Sequence, residues 1–218
     1  MSRNVTEIFD IREYKKALRE KYKRIRMSMP EDVKRSKDKA ILEKITALPA
    51  YKSSRLLLTY VSTDIEVDTI GLIGQALNDG KTVAVPKCED NKGNMTFYEI
   101  HSFDDLEPGY FSVLEPVPKK CRAIMDFNGA FCIIPALAYD RSGYRLGYGK
   151  GYYDRFLSAH PELFKVGIEY CCCMETSLIH GHFDVPSDIV VTEKYIKNCG
   201  KERDSDGKQG IYGRQHHA

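Results

Sequence analysis

No stretch of this 218-residue chain approaches the roughly 20 consecutive apolar positions that a membrane-spanning helix needs. No apolar leader of the secretory type stands near the first residue, and the seven cysteines, an odd number without framework spacing, do not read as a disulfide scaffold. The expectation is a cytoplasmic protein in a reducing compartment. Net charge is also scarce: +2 overall is too little to draw the whole molecule to nucleic acid or to an acidic membrane. What imbalance exists is local, with nine Lys or Arg against four Asp or Glu in residues 1 to 30. There is no internal repeat.

What the chain does have is a glycine-rich loop behind an apolar strand. Ala130 to Pro135 reads as a buried strand, and the chain beyond it carries glycines at 143, 147, 149 and 151, set with Arg145 and Lys150 and closed by Tyr152-Tyr153-Asp154. That combination suits a polyphosphate. Glycine permits positive φ and close approach of the backbone, successive amides form an anion-binding concavity, and a following helix N-terminus adds a favourable dipole. Two familiar patterns are excluded by spacing. A Walker A loop fails because Tyr144 and Gly151 occupy its first-glycine and Ser/Thr positions, and the dinucleotide fingerprint fails because Gly147-x-Gly149-x-Gly151 is one residue too short.

The length fits one compact domain with its own core, over residues 1–199, followed by a polar, glycine-dotted tail at 200–218 that is expected to be disordered. Residues 10 to 27 read as a helix with an apolar stripe (Ile11, Tyr14, Leu18, Tyr22, Ile25) beside a basic row of Arg12, Lys16, Arg19, Lys23 and Arg26. Pro30 ends it, and Glu31-Asp32 opens a second helix reaching to about Ala47. Arg55 to Val61, Thr69 to Asn78 and Thr82 to Pro86 read as strand, helix, strand, the sign of a parallel sheet. Met95 to Ile100, Lys165 to Tyr170, Ile189 to Val191 and Tyr195 to Lys197 extend the sheet, and the proline-punctuated stretch around Pro108, Pro116 and Pro118 is a surface connection. Ligands bind outside the carboxyl ends of such strands, so the loops after Val61 and Pro135 face one crevice. The run Cys171-Cys172-Cys173 invites a metal reading, but adjacent side chains on a strand point to opposite faces, and buried packing is preferred.

At Arg145-Leu146-Gly147-x-Gly149-Lys150-Gly151-Tyr152-Tyr153-Asp154 the chain resembles the 5-formyltetrahydrofolate cyclo-ligases, also called 5,10-methenyltetrahydrofolate synthetases. Lys15-x-x-Leu18-Arg19, Glu66-Val67-Asp68-Thr69 and Asp184-Val185-Pro186-x-Asp188 fall in that family's order, so the likeness spans about residues 11 to 198. The resemblance implies an α/β fold, a three-layer open mostly parallel sheet with helices on both faces, like the ribose-phosphate isomerase and CoA-transferase type. It implies ATP-dependent conversion of 5-formyltetrahydrofolate to 5,10-methenyltetrahydrofolate with release of ADP and phosphate, through a phosphorylated formyl group. Partners are then small molecules, with no nucleic acid and no membrane, and a monomer is expected.

Carried over residue by residue, the resemblance makes Lys150, Arg145 and Tyr152 catalytic. It assigns ATP to Lys15, Arg19, Arg145, Leu146, Gly147, Gly149, Lys150, Gly151, Tyr152 and Tyr153. It assigns the folate to Val61, Glu66, Tyr148, Gly149, Lys150, Gly151 and Tyr152, and Mg²⁺ to Asp154 and Asp188. The chemistry of these side chains agrees. Lys150 is a compact charge for β- and γ-phosphates, Arg145 a fork for phosphate oxygens, and hard carboxylate oxygens suit Mg²⁺. Plainer readings stand beside these. Lys15 and Arg19 can be a solvated face, Asp154 a helix cap, Asp188 a turn residue, Glu66 a surface carboxylate, Val61 a core residue and Tyr152 and Tyr153 packing groups. Two rivals to the functional reading are a phosphosugar isomerase or CoA transferase on the same sheet, which leaves the Arg145 to Asp154 motif unexplained, and a nucleic-acid module using the basic first helix.

Overall fold

Leu56–Leu58 (β1) pairs in parallel with Thr82–Cys88 (β2) on one side and Phe131–Ile134 (β6) on the other, inside a seven-stranded sheet. A strand covered on both faces reads as a continuous apolar run, which is why β1 is three leucines. Phe164–Ile168 (β9) and Ile189–Val191 (β11) continue the parallel array beyond β6. Met95–Ile100 (β3), against β2, and Ile196–Asn198 (β12), against β11, close the two edges in antiparallel sense. The order is β12-β11-β9-β6-β1-β2-β3. These statements rest on a computed structural model that describes residues 10–90, 93–109 and 113–199. The tail expected at 200–218 lies outside the described residues.

Alternate residues of each strand feed two cores. On one face Leu57, Val83, Val85, Ile133 and Val166 pack with Tyr22 of Ile11–Met27 (α1), Ile41 and Ile45 of Glu31–Ala47 (α2), Tyr51 of Pro49–Ser53 (α3), and Leu72 and Ile73 of Ile70–Asn78 (α4). On the other face Leu58, Ala84, Cys132 and Ile134 pack with Phe156 and Leu157 of Tyr152–Ala159 (α5). The result is the three-layer arrangement, helices on both faces of a mostly parallel sheet. Gly167 in β9 has a specific reason to lack a side chain. A Cβ there would stand 2.6 Å from Cζ of Tyr139, whose buried hydroxyl donates to the Ile134 carbonyl.

Three local readings change. The stretch after Pro135 is not loop throughout: Ala138–Asp140 (β7) and Arg145–Leu146 (β8) form a short hairpin, joined by Met174–Glu175 (β10) in a small separate sheet. Only residues 147 to 151 remain as a glycine loop. The proline-rich connection carries a two-stranded ribbon, Leu106–Pro108 (β4) with Leu114–Pro116 (β5). Cys171–Cys173 is a tight 3-10 turn, so the alternation of a strand does not govern where its sulfurs lie.

Candidate active site

The chain leaves β1 toward β2 in one direction and β6 toward β9 in the other, so the sheet order reverses between β1 and β6. Loops at the carboxyl ends of strands that part in this way leave a gap between them. A crevice of about 670 Å³ occupies it. Its floor comes from Tyr60, Val61, Thr63, Ile65 and Glu66 after β1 and from Pro135 after β6, while Pro86, Cys88 and Met95 wall one side. Residues 145 to 154 form the opposite wall, and Lys15, Arg19 and Lys23 of α1 hang over it with Asp184.

Of the site residues read from the sequence, only Asp188 is outside these walls. Its Oδ2 instead accepts from the backbone N–H of Lys165 at 2.7 Å and from Lys165 Nζ at 3.1 Å. Asp184, four residues earlier, is the carboxylate that lines the crevice, and it pairs with Lys15 Nζ at 3.3 Å. It belongs to the same Asp184-Val185-Pro186-x-Asp188 motif, and what separates it from Asp188 is the path of the chain at 184–188, not residue type.

The glycine loop is held from three directions. Arg19 Nε donates to the Gly147 carbonyl at 2.9 Å, and Arg155 Nη2, from α5, donates to the Lys150 carbonyl at 2.6 Å. The Arg145 guanidinium is committed to Asp154 Oδ1 at 2.5 Å and the Val185 carbonyl at 2.7 Å. Its fork therefore braces the loop's far end before any ligand arrives. Gly149 adopts φ +97°, where an added Cβ would come within 3.2 Å of Arg19 Nη2. Gly147 is different: it has no positive φ, and among the described residues nothing lies within 4 Å of where its Cβ would stand. The fold does not need a glycine there, which leaves backbone open to close approach. Lys150 is exposed on this loop, and no ion pair takes its ammonium among the described residues.

Across the crevice, Glu66 is nearly buried at 7% exposure. One oxygen accepts from Thr63 N–H at 2.8 Å and Thr63 Oγ1 at 2.9 Å, and the other accepts from the Tyr148 hydroxyl at 2.9 Å. Burial, and then Glu66, push the Tyr148 phenol well above its usual range, so it stays a donor. Tyr148 thus ties the glycine loop to the β1 loop, a contact its variable place in the motif did not suggest. Tyr152 OH donates to the Asp90 carbonyl at 2.6 Å, and the buried Tyr153 hydroxyl has no hydrogen-bond partner among the described residues.

Beneath the crevice lies Arg26, the last of the basic row. The row runs from exposed Arg12 and Lys16, through half-buried Arg19 and Lys23, to Arg26 at 4% exposure. Arg26 therefore does not share the solvated face that the sequence assigns it. Arg26 stands four residues after Tyr22, at the apolar edge of the row, and its full burial follows from α1 descending onto the sheet.

Among the described residues no group of three or more His, Cys, Asp or Glu side chains is placed to hold a metal ion. Among the described residues Asp154 carries both of its hydrogen bonds on Oδ1, from Arg145 and from Val185 N–H, and Oδ2 accepts none. One half-free carboxylate suits a cation that brings most of its own ligands, as Mg²⁺ does on a nucleotide.

The sequence profile described as the 5-formyltetrahydrofolate cyclo-ligase family matches residues 11–193. A mitochondrial 5-formyltetrahydrofolate cyclo-ligase of Arabidopsis thaliana is 31% identical over 178 residues, 75% of this chain and 64% of that relative, a little under two thirds of its length. A probable 5-formyltetrahydrofolate cyclo-ligase of Caenorhabditis elegans is 31% identical over 159 residues, covering 71% of this chain and 77% of the relative. Among solved structures, the solution structure of Aquifex aeolicus 5,10-methenyltetrahydrofolate synthetase superposes with a TM-score of 0.76 at 32% identity, over 93% of this chain and 99% of that one.

Proposed function

The chain belongs to the 5-formyltetrahydrofolate cyclo-ligase family, and we propose that the crevice between the β1 and β6 loops is where it converts 5-formyltetrahydrofolate to 5,10-methenyltetrahydrofolate, with ATP consumed to ADP and phosphate. The observation that carries this placement is that Glu66, after β1, and Lys150, after β6, line one cavity although 84 residues separate them in the chain.

Each wall has its own task. The β1 loop takes the folate: Glu66, oriented by Thr63, accepts from pterin N–H groups, and Val61 packs on the ring. The glycine loop takes the triphosphate, with Gly147 and Gly149 offering backbone and Lys150 its ammonium. Lys15 and Arg19 add charge from α1. The formyl oxygen attacks the γ-phosphorus, the β–γ bridging oxygen leaves with ADP, and N10 closes on the activated carbon as phosphate departs. The chain contributes orientation and charge stabilisation with no covalent nucleophile. Arg145, already braced on Asp154, acts by holding the loop, and Tyr152 by fixing the β2 end through Asp90.

Asp154 is the residue of this chain that would meet a Mg²⁺ carried on ATP, which would supply charge neutralisation at the phosphates, and Asp188 would be tested separately. The protein works as a cytoplasmic monomer on small molecules. Seven unpaired cysteines favour a reducing compartment, and the small net charge gives no support to nucleic acid. No helix among the described residues is long and apolar enough to cross a membrane.

The test is direct. Purified protein incubated with 5-formyltetrahydrofolate, Mg²⁺ and ATP should develop methenyl absorbance, and Lys150→Ala and Glu66→Gln should both suppress it. Full turnover in both variants would move the reaction out of this crevice.

A further inference from the structure

The turn Cys171–Cys173 lies outside the crevice and has no part in the reaction above. Its three thiols are unlike one another: Cys172 is exposed, Cys173 is fully buried, and Cys171 is between them. The sulfurs of Cys172 and Cys173 are 4.0 Å apart. Lys37 of α2 brings its ammonium to 3.8 Å from the Cys172 sulfur, and Glu193, after β11, holds that ammonium from the other side at 3.3 Å. Behind Cys173 lie Glu169 and Arg26.

A thiol beside an ammonium, open to solvent and next to a second thiol, is the arrangement of a redox-active cysteine. The electrostatics agree. Hydrogen bonding from Cys173, then the charge of Lys37, bring the Cys172 thiol down to about 6, while Cys173 is pushed up by its bond to Cys172 and by burial. Cys172 is therefore the more acidic thiol of the pair, with the Cys173 sulfur 4.0 Å from it.

We propose that Cys172 is an oxidation site, oxidised by hydroperoxides and resolved by Cys173 into a disulfide between neighbouring residues. In the first step the Cys172 thiolate displaces hydroxide from the peroxide: an S–O bond forms, the O–O bond breaks, sulfur is oxidised and the peroxide reduced. In the second, the Cys173 sulfur attacks the Cys172 sulfur; S–S forms, S–O breaks, and the Cys173 proton leaves with the hydroxyl as water. Neighbouring Cα atoms lie about 3.8 Å apart, short of the separation of ordinary disulfides. The closed ring is strained and returns readily to dithiol.

The experiment treats the whole protein with stoichiometric hydrogen peroxide, blocks remaining thiols with iodoacetamide, and maps peptides by mass. The expected product is the peptide carrying residues 171–173 lighter by two hydrogens, with the bond between Cys172 and Cys173 and its loss on adding dithiothreitol. Cys173→Ala, which keeps a small apolar side chain in the core, should instead give a Cys172 sulfenic acid trapped by dimedone. Lys37→Met, at a partly exposed position that leaves the core intact, should slow Cys172 alkylation at pH 7 about tenfold by raising its pKa toward the ordinary value. A bond to Cys171, over-oxidation of Cys172 at the same rate with and without Cys173, or alkylation indifferent to Lys37 would each overturn the assignment.

Discussion

The guanidinium of Arg26 meets the carboxylate of Glu169 in the interior, with Nη2 at 2.6 and 2.7 Å from the two oxygens and both side chains essentially sealed from solvent. The same Nη2 lies 2.6 Å from the Ala136 carbonyl after β6, and Nη1 is 3.4 Å from the Ile65 carbonyl after β1. One side chain from α1 thus ties together the loops after β1 and β6 and the end of β9. These are the loops that make the crevice floor.

Arg26→Met removes those donors and leaves a buried carboxyl and a buried carbonyl without their partner. We expect a loss of about 3–5 kcal/mol of unfolding free energy, measured in urea. A loss under about 1 kcal/mol would mean that apolar packing alone seats this end of α1.

Glu169 makes stability depend on pH. Burial pushes its carboxyl above the ordinary 4.5, against the opposing pull of Arg26. Above pH 4.5, and until the raised value is passed, the folded protein holds more of this proton than the unfolded chain does, so this group's contribution falls as pH rises through that window. Glu169→Gln, which imitates the protonated carboxyl, should flatten that decline in melts recorded from acid to alkaline pH. Parallel pH profiles for the two proteins would remove Glu169 as the cause.

Two glycines of the loop should fail differently. Gly149→Ala is strained by its φ of +97° and crowds Arg19, so it should cost about 1–2 kcal/mol of stability. Gly147→Ala meets nothing within 4 Å among the described residues and should melt like wild type, yet weaken ATP if its methyl occupies the face proposed for phosphate. Wild-type ATP affinity in Gly147→Ala would take the phosphate away from that face.

Lys150→Ala should lower turnover about 100- to 1000-fold with a smaller change in ATP binding, because a charge facing transferring phosphate counts most in the transition state. Glu66→Gln should weaken folate about tenfold or more and leave ATP nearly unchanged, the loss of a charge-assisted hydrogen bond. Steady-state kinetics in each substrate separate the two, and equal losses for both ligands in Glu66→Gln would contradict its place on the folate side.

Asp154→Asn should raise the Mg²⁺ concentration for half-maximal rate at saturating ATP, and without nucleotide the protein should bind Mg²⁺ weakly. Asp188→Asn, which loses part of the hold on Lys165, should act chiefly on the melting temperature. A larger Mg²⁺ effect from Asp188 than from Asp154 would reverse their roles.

Local pattern was enough for the seven strands of the large sheet and the long helices, but not for the β7–β8 hairpin or the β4–β5 ribbon. The three leucines of β1, the apolar stripe of α1 and the positive-φ turns at Gly149 and Gly151 are set by periods and torsions that act within a few residues, so they are legible along the chain. Which charge meets which is another matter. Arg26 and Lys23 sit three residues apart on one helix, and only the descent of α1 onto the sheet buries the first and leaves the second on the crevice wall. Asp184 rather than Asp188 lines that crevice, Tyr148 rather than solvent satisfies Glu66, and Arg145 is spent on Asp154, because strands far apart in the chain become neighbours. Strand order is decided by how whole apolar faces pack, and a partner 169 residues away, as Asp184 is from Lys15, leaves no periodic trace in either segment.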